Sequence, residues 1–237
     1  MTRALAIARR DFASYFLTPV GYIVTAMYLL FTGGFFLYAF RQGEVTTLRP
    51  VFEYGTWVLL FVGPAVTMRM LSEESRTGTF EMLLTAPVRE WEVILGKFAA
   101  AKMFLLVMLM PTLLYVAALE MHGRPDYGEL LCGYLGVLLA GAAYIASGLL
   151  ASALTSSQLV AFLSALFFWL VLGVGTKLLP PYLSESWAKI VVRFDPDLRL
   201  RDFAIGLIDT SNVVFFAAFT VLFLVGAVKA LESRRWR

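Results

Sequence analysis

The sequence predicts an all-α integral membrane protein with six transmembrane helices. Three observations predict it. Hydrophobic residues make up 59% of the 237 positions and the mean hydropathy is +0.76, whereas soluble domains hold about 45–50% apolar residues. These residues gather in runs long enough to cross a bilayer, which takes roughly 20 residues at ~1.5 Å rise each. The segments between the runs are too short for a separate soluble domain, so residues 1–237 read as a single membrane-spanning domain.

The first element is a predicted amphipathic helix within residues 1–19. Leu5, Ala8, Phe12, Tyr15 and Phe16 recur at helical spacing, and Arg3, Arg9, Arg10 and Asp11 lie mostly between them. That pattern suits a helix lying on a membrane surface. Pro19 and Gly21 punctuate the turn into the bilayer. The run that follows begins near Val20 and lasts about twenty residues, longer than a signal-peptide core, so it reads as a retained anchor.

Spans are expected near residues 20–40, 52–71, 98–119, 129–152, 158–179 and 212–231. The second begins at Glu53 and carries Gly63-Pro64, which a membrane helix tolerates with a kink. The fourth and fifth meet at Thr155-Ser156-Ser157-Gln158, a tight polar turn that makes them an antiparallel hairpin. The fourth is rich in small residues: Gly133, Gly136, Ala140, Gly141, Ala143, Ser147, Gly148 and Ala151. These let helices approach closely. Packing within the subunit is the first reading of that stripe, and a subunit interface or pathway is the alternative.

Basic residues set the orientation. With the N-terminus inside, the inner side collects Arg3, Arg9, Arg10, Arg69, Arg76, Arg89, Lys97, Lys102, Lys229, Arg234, Arg235 and Arg237, while the short outer loops hold Arg41, Arg49 and Arg124. Six spans then return the C-terminus to the inside. Two connections are longer than turns. The outer one, 180–211, opens with Pro180-Pro181 and breaks at Asp195-Pro196-Asp197. Trp187, Ile190, Val191 and Phe194 form one apolar group in it, and Leu198, Phe203, Ile205, Leu207 and Ile208 a second. Two short amphipathic helices in the outer leaflet are expected there, with an ordinary loop as the alternative.

The inner connection, 72–97, carries the functional expectation. Ser72 is placed to cap a helix N-terminus that Glu73 and Glu74 favour. Phe80, Met82, Leu83 and Leu84 follow Thr77-Gly78-Thr79, and Pro87 ends that helix. Glu90, Trp91 and Glu92 start another that runs into the third span. A helix with an exposed apolar knob suits a groove on a soluble partner, and charges of both signs around it set register. A plain loop between spans is the competing reading of these residues.

The run Glu73-Glu74-x-Arg76-Thr77-Gly78-Thr79-Phe80-Glu81-x-Leu83-Leu84-x-x-Pro87-Val88-x-x-Trp91-Glu92-x-x-x-Gly96-Lys97-Phe98 resembles the signature of ABC-2-type permeases. Two further motifs resemble the gliding-motility-type branch of that family: Arg10-Asp11-Phe12-x-Ser14-Tyr15-Phe16-x-x-Pro19-x-Gly21-Tyr22, and the terminal Leu231-Glu232-Ser233-Arg234-Arg235-Trp236-Arg237. The likeness extends over essentially the whole chain.

The resemblance implies a six-helix fold of the type V exporter kind. Its N-terminal interface helix would present Arg9, Arg10, Asp11, Phe12 and Tyr15, and a re-entrant helix pair would precede the last span. It implies a coupling helix that inserts into an ATPase subunit, with Glu73, Glu74, Arg76, Thr77, Gly78, Thr79, Phe80, Glu81, Leu83, Leu84 and Pro87 as the contacts. Gly78 there would permit close backbone approach. The implied partners are ABC ATPase subunits, which bind ATP and Mg, a second identical or related permease, membrane lipids and, in some systems, a periplasmic protein. Nucleic acid is not among them. The implied location is the bacterial cytoplasmic membrane, with both termini in the cytoplasm.

Several motifs are absent from the sequence. It contains no G-x-x-x-x-G-K-[ST]: Gly96-Lys97 is followed by Phe98 and lacks the upstream glycine. This chain is therefore expected to hydrolyse no ATP and to hold no cofactor or metal of its own. There is no H-E-x-x-H or C-x-x-C; the sole histidine, His122, falls in an outer loop and the sole cysteine, Cys132, in an apolar run. The spans hold almost no ionisable residues, whereas ion-coupled carriers use such groups at membrane depth. A stand-alone carrier or channel is the first rival reading, a mechanotransmitting scaffold the second, and a membrane enzyme the weakest.

Overall fold

The computed structural model describes residues 3–39, 47–77 and 89–235, which form helices, turns and short connections with no strand among them. In chain order the helices are α1 (Arg3–Leu17), α2 (Pro19–Ala39), α3 (Arg49–Thr67), α4 (Arg69–Thr77), α5 (Glu90–Leu109), α6 (Leu113–His122), α7 (Tyr127–Leu154), α8 (Gln158–Leu178), α9 (Glu185–Val192), α10 (Pro196–Ala204) and α11 (Thr210–Arg235). Among the described residues, six stretches are long and apolar enough to cross a membrane: Pro19–Ala39, Arg49–Arg76, Glu90–His122, Tyr127–Leu154, Gln158–Leu178 and Thr210–Ser233. The expected spans are all present. The third starts eight residues earlier than read, because Glu90 and the following turns continue unbroken into it.

Two spans are interrupted by proline. Pro64 lies inside α3, where its missing N–H removes a helical hydrogen bond. The helix nevertheless runs on to Thr67 and, after a turn at Met68, resumes as α4. The junction is completed from another helix. The Ser152 hydroxyl accepts from the backbone N–H groups of Leu71 (3.1 Å) and Ser72 (2.9 Å) and donates to the Met68 carbonyl (3.0 Å). Ser72 is therefore no N-cap. It sits buried within α4, with its hydroxyl bonded back to the Met68 carbonyl. In the third span Pro111 turns one stretch, Met110–Thr112, into a 3-10 helix between α5 and α6.

The most enclosed span, α7, forms the hub, packed against α3, α5, α8, α10 and α11. Its small residues explain the close approach. A β-carbon on Gly133 would meet the Phe52 ring at 2.2 Å, one on Gly136 the Phe203 side chain at 2.6 Å, one on Gly141 Leu105 at 2.5 Å, and one on Gly148 Thr67 at 2.0 Å. The stripe thus packs within the chain. Asp126 caps the start of α7 by accepting from the Gly128 N–H, and Ser157 caps α8 across the tight turn at 155–157.

The segment before the last span folds as two short helices. Asp195 caps the second by accepting from the Asp197 N–H. No side chain of α9 is buried, and Trp187 is 62% exposed. The second apolar group divides: Phe203 is buried, together with Leu200, which was outside that group, while Leu198, Ile205, Leu207 and Ile208 face outward. Gly206, at φ +85°, makes the turn that follows α10. Arg199 anchors this end. It donates to the Arg193 carbonyl, Ser211 and Asn212 and lies 4.4 Å over the Phe215 ring. Partial burial lowers its pKa against the opposing charges of Asp209 and Asp202.

Candidate coupling site

The alternation of spans places α1, the flanks of residues 78–88, the 155–157 turn and the end of α11 at one end of the bundle. The functional residues read from the sequence concentrate there. The buried face of α1 consists of Ala8, Asp11 and Tyr15, spaced three and four residues apart. The sequence reading grouped Leu5 with the apolar residues at helical spacing and Asp11 with the charged residues mostly between them. Leu5 is 46% exposed and Asp11 only 9%. The face turns this way because α5 offers Asp11 a counter-charge.

That counter-charge is Lys97, 1% exposed. Its Nζ lies 3.1 Å from Asp11 Oδ2 and 2.7 Å from Glu74 Oε1. Arg10 closes the cluster from the rim, 2.8 Å from Asp11 Oδ1 and 3.5 Å from Glu74 Oε1. Burial opposes the Arg10 charge. The hydrogen bond and charge of Asp11, with the charge of Glu74, outweigh it and raise the Arg10 pKa. Three helices therefore meet on one lysine: α1 through Asp11, α4 through Glu74 and α5 through Lys97 itself.

The surroundings fix the cluster in place. The Tyr15 hydroxyl donates to the Val66 carbonyl at 3.0 Å, its ring stacks on Phe104 at 4.6 Å, and burial raises its pKa. Phe12 sits edge-on to Phe16 at 5.2 Å. At Gly96 the backbones of α1 and α5 nearly touch: a β-carbon there would lie 2.8 Å from the Ala4 carbonyl oxygen and 3.0 Å from Ile7. A cleft of about 270 Å³ opens beside the cluster, lined by Asp11, Tyr15, Arg69, Glu73, Glu74 and Lys97 among others.

The sequence-predicted residues fall into three groups. Arg10, Asp11 and Glu74 are brought together, with Tyr15 beside them. Glu73 pairs instead with Arg69, one helical turn before it, at 3.1 Å. Arg9 and Arg76 are exposed, and Thr77 ends α4. Gly78, Thr79, Phe80, Glu81, Leu83, Leu84 and Pro87 lie outside the described residues. Past them, the Glu92 carboxylate accepts from the Arg89 N–H at 2.9 Å and secures the start of α5. Lys97 was read as one of the inner positive charges and as part of the signature run, without a role of its own. Its sequence signal was a lysine seven residues inside a helix that continues into a span.

A groove of about 560 Å³ with wholly apolar walls runs between α2, α3 and α8, along Met27, Phe31, Phe35, Tyr54, Trp57 and Phe162. At the other end of the bundle Lys177 pairs with Asp197 and lies 5.5 Å over the Trp57 ring, joining α8, α10 and α3.

A stretch of 103 residues is 27% identical to the "Probable multidrug ABC transporter permease YbhR" of Escherichia coli K12, and equally to the protein of that name in Escherichia coli O157:H7. The match covers 44% of this chain and 27% of each relative. The family model described as "ABC-2 family transporter protein" matches residues 51–229. With most of the chain inside that match and six spans in the fold, this multi-pass membrane protein belongs to the ABC-2 family of transporter proteins.

Proposed function

We propose that this chain is the permease subunit of an ATP-driven exporter, with residues 72–97 as the coupling segment that engages a separate ATPase. One observation carries the reading. Asp11 from the N-terminal motif and Glu74 from the inner one converge on Lys97 at the helices that flank residues 78–88, and Arg10 pairs with both carboxylates. A load received by that segment passes into the third span through α5 and into the second through α4.

In this reading ATP and Mg bind to the partner ATPase, and a second identical or related permease completes the transporter. The protein lies in the bacterial cytoplasmic membrane with both termini in the cytoplasm. α1 is the interface helix beside the ATPase, and α9 and α10 dip into the outer leaflet. The N- and C-terminal motifs align it with the gliding-motility-type branch, without implying motility as its role. The apolar groove along α2, α3 and α8 supports an amphiphilic substrate, in keeping with the "multidrug" in the relatives' name.

The test is reconstitution with the ATPase in proteoliposomes. Glu81→Arg and Gly78→Trp are expected to abolish permease-stimulated ATP hydrolysis while the protein still inserts. Normal stimulation in both refutes the assignment of the coupling segment. Transport by the chain alone, without ATPase, establishes a carrier or channel instead. Stimulation without transport of any amphiphile favours mechanical action on a periplasmic partner.

A further inference from the structure

Lys97 does more than the inner-side charge bias requires. Residues 73–77 of α4 are Glu, Glu, Ser, Arg and Thr, with no apolar side chain among them. The last turn of α4 therefore has no hydrophobic anchor, and polar contacts hold it. Glu74 supplies one, 2.7 Å from the Lys97 ammonium. The same ammonium holds Asp11 of α1 at 3.1 Å. A buried ammonium needs counter-charges placed by the fold, and here each arrives on a different helix. The junction at Met68 is the point where α4 could hinge away from α3. The Lys97 cluster lies beyond that point, on the side nearer residues 78–88.

We propose that Lys97 is a positioning residue that clamps α1, α4 and α5 into one body. A push delivered between α4 and α5 then moves the interface helix and the third span together, instead of bending α4 at Met68. The clamp itself stands on the geometry; its consequence for transport rests on the coupling function proposed above.

Hydrogen exchange of the purified full chain in lipid nanodiscs tests the clamp without any ATPase. Lys97→Met leaves Asp11 and the half-buried Glu74 with only the rim Arg10 as counter-charge and could unfold the protein. A second variant, Asp11→Asn/Glu74→Gln/Lys97→Met, removes all three charges and keeps the volume. In the triple variant, amides of both α1 and α4 are expected to exchange about tenfold faster, corresponding to ~1.4 kcal/mol of opening free energy. Those of α7 are expected to be unchanged. Wild-type exchange in α1 and α4 of the triple variant means that packing alone holds the helices, and overturns the proposal. Equal acceleration through all six spans assigns Lys97 to general stability and overturns it as well.

With saturating ATPase added, so that any change of affinity does not enter, stimulated turnover of the triple variant is expected to fall about tenfold. Unchanged turnover despite loosened α1 and α4 overturns the link from clamp to coupling. A wild-type chain that binds no ATPase refutes the proposed function and leaves the exchange result standing.

Discussion

Gly148→Ala is expected to be among the most damaging single-methyl changes in this chain, and Gly34→Ala among the most benign. A β-carbon at 148 falls 2.0 Å from Thr67 Oγ1 and 3.1 Å from Pro64 Cα. Thr67 can rotate only by abandoning its bonds to the Gly63 and Pro64 carbonyls, at 2.9 and 3.4 Å. Pro64 Cα is backbone and moves only if α3 moves. Overpacking of this kind costs about 1–3 kcal/mol. The lost hydroxyl contact adds about 1 kcal/mol, and the better helix propensity of alanine returns up to ~1 kcal/mol. The net expectation is a loss of about 1–3 kcal/mol. At Gly34 no atom lies within 4 Å of the added carbon, so Ala there is neutral or stabilising by up to ~1 kcal/mol. Denaturant unfolding in mixed micelles, followed by Trp fluorescence, reads both. Equal midpoints for the two variants would refute the close approach of α3 and α7 on which the fold description depends.

Three further outcomes are expected. Asp11→Asn keeps the shape of the α1 face but leaves Lys97 with Glu74 and a neutral amide; a loss of about 1–3 kcal/mol is expected, read as a lower unfolding midpoint, whereas Arg9→Gln on the exposed face changes it by under ~0.5 kcal/mol. Ser152→Ala strips two backbone N–H groups at the α3–α4 junction of a partner and costs about 1–3 kcal/mol, with faster hydrogen exchange at Leu71 and Ser72 as its local signature. Arg199→Ala removes two hydrogen bonds to the Arg193 carbonyl, and two hydrogen bonds and a cation–π contact that join α10 to the start of α11; limited proteolysis is expected to cut within 193–212 several times faster, with the spans intact.

The spans were legible because length and apolarity report directly on the bilayer, and the 155–157 turn because its polar residues have nowhere else to go. The errors arise where a polar residue is answered from far along the chain. Asp11 reads as solvated when only residues 3–17 are in view; its partner stands 86 positions away. Ser72 before Glu73-Glu74 has the form of an N-cap. In the fold a hydroxyl from Ser152, 80 positions on, lets the helix pass through Ser72 instead. Lys97 obeys the inner-side charge rule as well as any exposed lysine, so its burial leaves no mark in the local pattern. In the second apolar group of 180–211, Phe203 is likewise answered from far along the chain, by Gly136 of α7.

The same contacts indicate how one end of the bundle can answer to the other. Coupling across a membrane subunit needs elements that move as rigid pieces, joined where they touch. At the α1 end, α4 is bound to α5 by ions and to α7 by Ser152. Along α7, Gly148 brings the backbone of α3 close and Gly141 admits Leu105 of α5, so a shift of α7 shifts them too. At the opposite end Gly136 receives Phe203 of α10, and α10 is pinned in turn to α8 by Asp197 and Lys177. Every joint in this series is polar or glycine-packed. The apolar faces of α2, α8 and α9 lie largely outside it, left exposed for lipid or for another subunit. The chain thus separates a polar and glycine-packed interior linkage from an exposed apolar exterior.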